Sequence, residues 1–198
     1  MYLVFTTREF SMLANVSITS ASQMLRRLAA KKRITRLYQG LWADTQSPQF
    51  HIYLVTPFLT RPHPAAISML TALHLHGMIE QIPQVVDVVS TAMTKKIKTP
   101  AANYVIHQMN HALFVGYEYY QEEGDFLIAS PEKALFDCAY FSARKGQRFK
   151  FLPELHFPKS FSHRKLFQFV KKIPYHNLRR AVEMRLENWL RKEGVTAC

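Results

Sequence analysis

Twice between residues 6 and 28 the apolar residues recur at helical spacing, and the pattern breaks once, at the short polar stretch "ANVS" of residues 14–17. So short a break holds two helices against each other, which constrains the N-terminal region more tightly than any other feature of the chain. Thr6 or Thr7 caps the first helix, because a side-chain oxygen there accepts an orphan backbone N–H. Phe10, Leu13 and Ala14 are its expected buried stripe. Asn15 suits the turn, being the residue there that best tolerates a left-handed conformation. Ser17 or Thr19 caps the second helix, and Ala21, Met24, Leu25 and Leu28 predict its buried face at i, i+3, i+4 and i+7. The opposite side carries Ser20, Ser22, Gln23, Arg26 and Arg27.

"RITRLYQGLWA" follows, with Ile34, Leu37, Leu41 and Trp42 flanking a Tyr-Gln-Gly turn in which Gly40 supplies the positive φ of a tight hairpin. Helix, turn, helix and hairpin together read as a winged helix-turn-helix, an arrangement that places its second helix in the major groove of DNA. The side chains suit that task. The hydroxyls of Thr7, Ser17, Thr19, Ser20 and Ser22, with Arg8, are candidate phosphate contacts near helix N-termini. Gln23 matches adenine and arginine matches guanine, while Arg26 and Arg27 reach either bases or phosphates. Arg36, Tyr38 and Gln39 on the hairpin face the backbone or the minor groove. The usual first helix of such a unit lies upstream of Met1 or is absent, or else residues 2–5 form a strand packed on the wing.

Charge supports a polyanionic partner. The net charge is +12, unevenly placed. Residues 1–46 carry 7 Lys/Arg against 2 Asp/Glu, residues 47–143 carry 5 against 8, and residues 144–198 carry 14 against 4. Two basic lobes therefore flank a mildly acidic middle, the balance expected of a nucleic-acid binder. In the C-terminal lobe Arg164, Lys165, Lys171, Lys172, Arg179 and Arg180 lie on the polar sides of two amphipathic patterns. They form either a solvated face or an auxiliary contact to phosphates or a partner. Two cysteines, Cys138 and Cys198, give no disulfide framework, and no apolar run approaches a membrane span. A cytoplasmic protein without membrane partners is expected.

The remainder reads as a linker, residues 47–64, holding one short strand "HIYLV", and then a larger mixed α/β domain, residues 65–198. The fold class expected is α+β. A helix is expected from Ala65 to a stop at Gly77, followed by a strand "VVDVVST" and two more, "NYVIHQM" and "ALFVGYEYY". "SPEKALFDCAYFS" is a well-signed helix, with Ser130 as cap, Pro131 first and Glu132 at the positive end. Two amphipathic helices close the chain, burying Leu166, Phe169, Val170 and Ile173, then Leu178, Ala181, Val182, Leu186, Trp189 and Leu190.

This order, with "SMLTALHLHGMIEQIP", a Val-rich strand ending in "ST", "FLIASPEKALFDCAYF" and a basic helical C-terminus, resembles the AbiEi antitoxin family. The resemblance covers nearly the whole chain and rests most on "ALHLHGMIEQIP" and "SPEKALFD". It implies a bacterial transcriptional regulator that binds inverted repeats in its own promoter as an autorepressor. It also implies the antitoxin half of a type IV toxin–antitoxin pair used in phage defence. The partner implied is a nucleotidyltransferase-like toxin, opposed functionally rather than through a stable complex. Two rivals stay open: a stand-alone regulator whose C-terminal domain senses a ligand or oligomerises, and an RNA- or protein-binding module.

The sequence lacks the signatures of an enzyme. There is no phosphate-cradling glycine loop, no Gly-Ser plus paired-carboxylate pattern for nucleotidyl transfer, and no convincing carboxylate set around Asp87 and Glu118. Glu132 and Lys133 read as helix-start residues. His74 and His76, and His107 and His111, lack further ligands at zinc spacing, and Cys138 reads as a core thiol. Neither a metal nor a cofactor is expected.

Overall fold

The computed structural model describes residues 3–120, 126–144 and 152–192. It is a mixed α+β structure with two sheets. The first sheet belongs to an N-terminal unit of β1 (Val4–Thr6), α1 (Thr7–Leu13), α2 (Ile18–Ala30), β2 (Thr35–Tyr38) and β3 (Leu41–Ala43). β3 is central and antiparallel to both neighbours, with Ala43 opposite Val4 on one side and Thr35 on the other. Of the alternatives for the start of the chain, a strand on the hairpin is the one seen, at Val4–Thr6 rather than residues 2–5, paired with β3.

Thr6 is the cap of α1. Its hydroxyl accepts the Glu9 N–H at 3.1 Å while the Glu9 carboxylate accepts the Thr6 N–H at 2.7 Å, so two orphan donors are satisfied reciprocally. Ser17 caps α2, accepting the Ser20 N–H at 3.1 Å, and Asn15 takes φ +51° in the turn between the helices. The buried stripes are narrower than expected. Ala21 and Leu25 are fully buried, but Leu13 is 70% exposed, Met24 is 42% exposed and Ala14 is exposed. The reason is geometric: α2 is gripped along one i, i+4 line, and no described element covers the side where Leu13 and Met24 emerge.

The segment 47–64 departs from its expected strand. Ile52–Val55 is a 3-10 turn running into α3 (Thr56–Thr60), and Tyr53, Val55 and Leu59 are buried in the core. A short apolar run does not separate strand from helix by periodicity, and Pro57 in the first turn decides for helix.

The second sheet has six strands: β4 (Ala65–Ile67), β5 (Val86–Ser90), β6 (Lys95–Lys98), β7 (Asn103–Gln108), β8 (Tyr117–Tyr120) and β9 (Phe126–Ala129). Their order is β6-β7-β5-β4-β9-β8, with β5–β7 and β4–β9 parallel and the other pairs antiparallel. The helix expected from Ala65 starts later, as α4 (Met69–Leu75), because Ala65–Ile67 fills a central strand. Gly77 ends α4 at φ +67°, as its position predicts, and Met78 N–H returns to the Leu73 carbonyl at 2.8 Å. The segment 112–120 is not one strand: a 3-10 turn (His111–Leu113) and Gly116 at φ +83° precede β8. β6 and β9 were not expected.

Three helices complete the described structure: α5 (Pro131–Arg144), which packs with α4 against the sheet, and α6 (His163–Lys171) and α7 (His176–Lys192), which pack on α5. α5 is buried nearly all round, between α4 and β9 on one side and α6 and α7 on the other. The inward residues expected on α6 and α7 are buried, except that Ala181 is exposed and Leu178 half-buried. The apolar core runs without a break from Val4, Leu37 and Leu41 to Trp189 and Leu190.

Candidate nucleic-acid interface

α2 is the centre of the candidate surface. Ser17, Thr19, Ser20, Gln23, Arg26 and Arg27 are all exposed and Ser22 is half-buried. Thr19, Gln23, Arg26 and Arg27 stand at i, i+4, i+7 and i+8, so they share one helical face. Ser17 and Ser20 are partly engaged with each other, since their hydroxyls lie 3.0 Å apart while Ser17 caps the helix. Between Glu9 and Asp44 there is no carboxylate, and Arg26, Arg27, Lys31, Lys32, Arg33 and Arg36 are all exposed. The one acidic side chain on α1, Glu9, is neutralised where it stands. It faces the Arg61 guanidinium at 2.9 Å and, with Thr6, that contact holds its carboxyl below the ordinary value although burial pulls the other way.

The other N-terminal candidates divide into two kinds. Arg8, Arg36, Tyr38 and Gln39 are exposed, and Arg36 lies 5.8 Å from the centre of the Trp42 ring, which holds it against the hairpin. Thr7 is different: its hydroxyl accepts the Trp42 indole N–H at 2.9 Å and donates to the Gly40 carbonyl at 3.3 Å. Thr7 thus ties the start of α1 to the hairpin turn, a positioning role that spacing alone does not reveal.

In the C-terminal lobe Arg164, Lys165, Lys171, Lys172 and Arg180 are exposed. Lys165 reaches back to Glu132 at 3.1 Å, and Lys172 lies 6.0 Å from the Phe169 ring. Arg179 is engaged internally: its Nε and Nη2 both donate to the Ile173 carbonyl, at 2.9 and 2.6 Å, closing the end of α6. Arg164, Lys171, Lys172 and Arg180 are thus the cations best placed for phosphates.

Sequence reasoning missed a buried polar cluster. Lys133, read as a helix-start residue, is completely buried, and its ammonium donates to Asp137 at 2.6 Å and to the Leu113 carbonyl at 3.0 Å. Asp137 also accepts from the hydroxyls of Ser68 at 2.6 Å and Tyr117 at 3.1 Å. Burial pulls Lys133 below its ordinary value against the pull of Asp137, and burial beside Asp137 pushes Tyr117 well above its own. The available signal was a lysine and an aspartate at i, i+4 in an otherwise apolar helix. A second buried pair joins His107 to Asp87 at 3.0 Å, with the Asp87 N–H satisfied by Thr71. His74 lies near the Ile79 carbonyl, His76 lies 2.7 Å from the Ala129 carbonyl, and His111 is exposed. Cys138 is fully buried, and burial followed by Asp87 and Asp137 pushes its thiol far up, which makes it a core thiol. Among the described residues no group of three or more His, Cys, Asp or Glu is placed to hold a metal ion. Among the same residues no helix is long and apolar enough to cross a membrane.

No known protein-family model matches the chain, and a search of curated proteins finds no match.

Proposed function

We propose that the chain is a DNA-binding transcriptional autorepressor. β1, α1, α2 and the β2–β3 hairpin act as its winged helix-turn-helix, with α2 as recognition helix. The observation that carries this reading is the α2 face itself: Gln23, Arg26 and Arg27 are exposed on one face of α2, and the hairpin that follows it carries exposed Arg36. No carboxylate interrupts that surface from residue 10 to 43. Such a face complements both phosphates and base edges, with the exposed hydroxyls of Thr19 and Ser20 at the helix start. The sheet order β1-β3-β2 braces the hairpin from its far side, and Thr7 locks it to α1. The basic cations on α6 and α7 add sequence-independent attraction.

The resemblance to AbiEi antitoxins extends the proposal. The larger C-terminal part would counter a nucleotidyltransferase-like toxin, and the protein itself would be a binding protein in the cytoplasm rather than an enzyme. Promoter inverted repeats in double-stranded DNA are the proposed ligand of the α2 face.

Alanine variants test the assignment through fluorescence anisotropy on the chain's own upstream DNA and on a scrambled duplex. Gln23→Ala and Arg26→Ala are expected to lose about 1–3 kcal/mol on the specific duplex and much less on the scrambled one. Lys171→Ala is expected to weaken both duplexes alike. Equal losses on both duplexes for all three variants would remove α2 as the recognition helix.

A further inference from the structure

A cavity of about 490 Å³ opens at the carboxyl ends of the two parallel strands β5 and β7. Thr91 follows the end of β5, Gln108 ends β7, and the Met109 N–H to Ser90 carbonyl bond, 2.8 Å, fixes the floor between them. The remaining walls come from the last turn of α5, with Tyr140 and Arg144, and from the entry of α7, with Tyr175 and Leu178. The crevice lies beyond the carboxyl ends of this parallel pair, and its size falls in the range of small-molecule sites, about 300–1,000 Å³.

The lining states what kind of ligand fits. Among the described residues it contains no carboxylate, while Arg144 and His111 supply cationic or hydrogen-bonding edges. The Arg144 guanidinium spends one N–H on the Tyr140 hydroxyl, at a long 3.4 Å, and stacks 5.5 Å from that ring, leaving its other donors directed elsewhere. Tyr140 is 4% exposed and therefore a fixed wall, whereas Tyr175 is 71% exposed at the rim. Met109 and Leu178 are the apolar side chains of the lining. We infer that this cavity binds a small planar aromatic ligand carrying one anionic group, the ring lying among Tyr175, Leu178 and Met109 and the anion on Arg144. A nucleoside 5′-monophosphate and an aromatic carboxylate share that chemistry. The inference does not rest on DNA binding, because no residue of the α2 face takes part.

The test is calorimetric titration of the full chain, without DNA, using adenosine 5′-monophosphate, 4-hydroxybenzoate, adenosine and inorganic phosphate. Binding of at least one ring-bearing anion is expected, with adenosine and phosphate each at least tenfold weaker. Arg144→Gln and Tyr175→Ala are expected to weaken that ligand tenfold or more. Both side chains are at the surface, and circular dichroism verifies that the variants fold. Preference for the monophosphate identifies a nucleotide site, and preference for the benzoate an aromatic-acid site. The inference is overturned if neither ring-bearing anion binds at about 5 mM. Phosphate alone binding as tightly, or Arg144→Gln leaving the affinity unchanged, would overturn it equally.

Discussion

Replacing Lys133 by methionine is the sharpest probe of how the C-terminal part holds together. The ammonium is fully buried, paired to Asp137 at 2.6 Å and bonded to the Leu113 carbonyl at 3.0 Å. It also lies 4.6, 5.1 and 5.6 Å from the rings of Phe136, Tyr117 and Phe169. Methionine keeps most of the stem, and its sulfur recovers about 0.3–1.5 kcal/mol against those rings. The losses are larger. Asp137 keeps only the two hydroxyl donors of Ser68 and Tyr117, and breaking a buried pair from one side costs about 3–5 kcal/mol. The orphaned Leu113 carbonyl contributes to that loss. The net expectation is about 3 kcal/mol, which for a slope of about 2–3 kcal/mol/M moves a urea midpoint down by about 1–1.5 M with the slope unchanged. Lys133→Met combined with Asp137→Leu should lose less than the two single changes added, since the double removes the stranded charge. A loss below about 1 kcal/mol for Lys133→Met, or strict additivity in the double, would refute the reasoning.

Two further perturbations test local geometry. Gly116→Ala demands a Cβ at φ +83° and only 2.6 Å from Phe169 Cζ, so it should destabilise by about 2–3 kcal/mol, and Phe169→Leu in the same chain should recover part of that in urea denaturation. Glu9 titrates below its ordinary value, so the unfolded chain takes up a proton first as pH falls. Its contribution to stability is full above about pH 4.3 and is lost as pH drops through the lowered folded value. Glu9→Gln should therefore flatten the acid limb of a stability profile below about pH 5, and an unchanged limb would show that the Thr6 and Arg61 contacts do not matter in solution.

The elements legible in the sequence are those whose signals are local. Thr6 with Glu9, Ser17 with Ser20, Asn15 in the turn and Gly40 in the hairpin each act within a few residues, so both N-terminal helices and the hairpin follow from the chain itself. Ser130, Pro131 and the apolar run beyond them place α5 in the same way. What the sequence hid depends on distant partners. Ala65–Ile67 continues an apolar helical pattern and becomes a strand only because β5 and β9 close on either side. β6 carries three exposed lysines around buried Ile97, the pattern of a guarded sheet edge that propensity does not flag. Met24 fits a helical stripe yet emerges, because what covers a helix is not written in its own period. At the candidate site the exposed face of α2 was readable, whereas the internal duty of Thr7 was not, since Trp42 lies 35 residues away. In the Lys133 cluster the i, i+4 pairing with Asp137 was readable, whereas Ser68 and Tyr117 were not, since they come from the β4–α4 junction and β8.

The central claim is that α2 reads a DNA sequence, and one comparison tests it directly: affinity of the purified chain for its own upstream DNA against a scrambled duplex of equal length, at about 50 and 200 mM salt. The account predicts that preference for the upstream DNA persists at the higher salt, while scrambled binding falls steeply with a slope of about 0.9 per phosphate contacted. Equal affinities that collapse together at the higher salt would contradict it, leaving the basic surface as a generic polyanion binder.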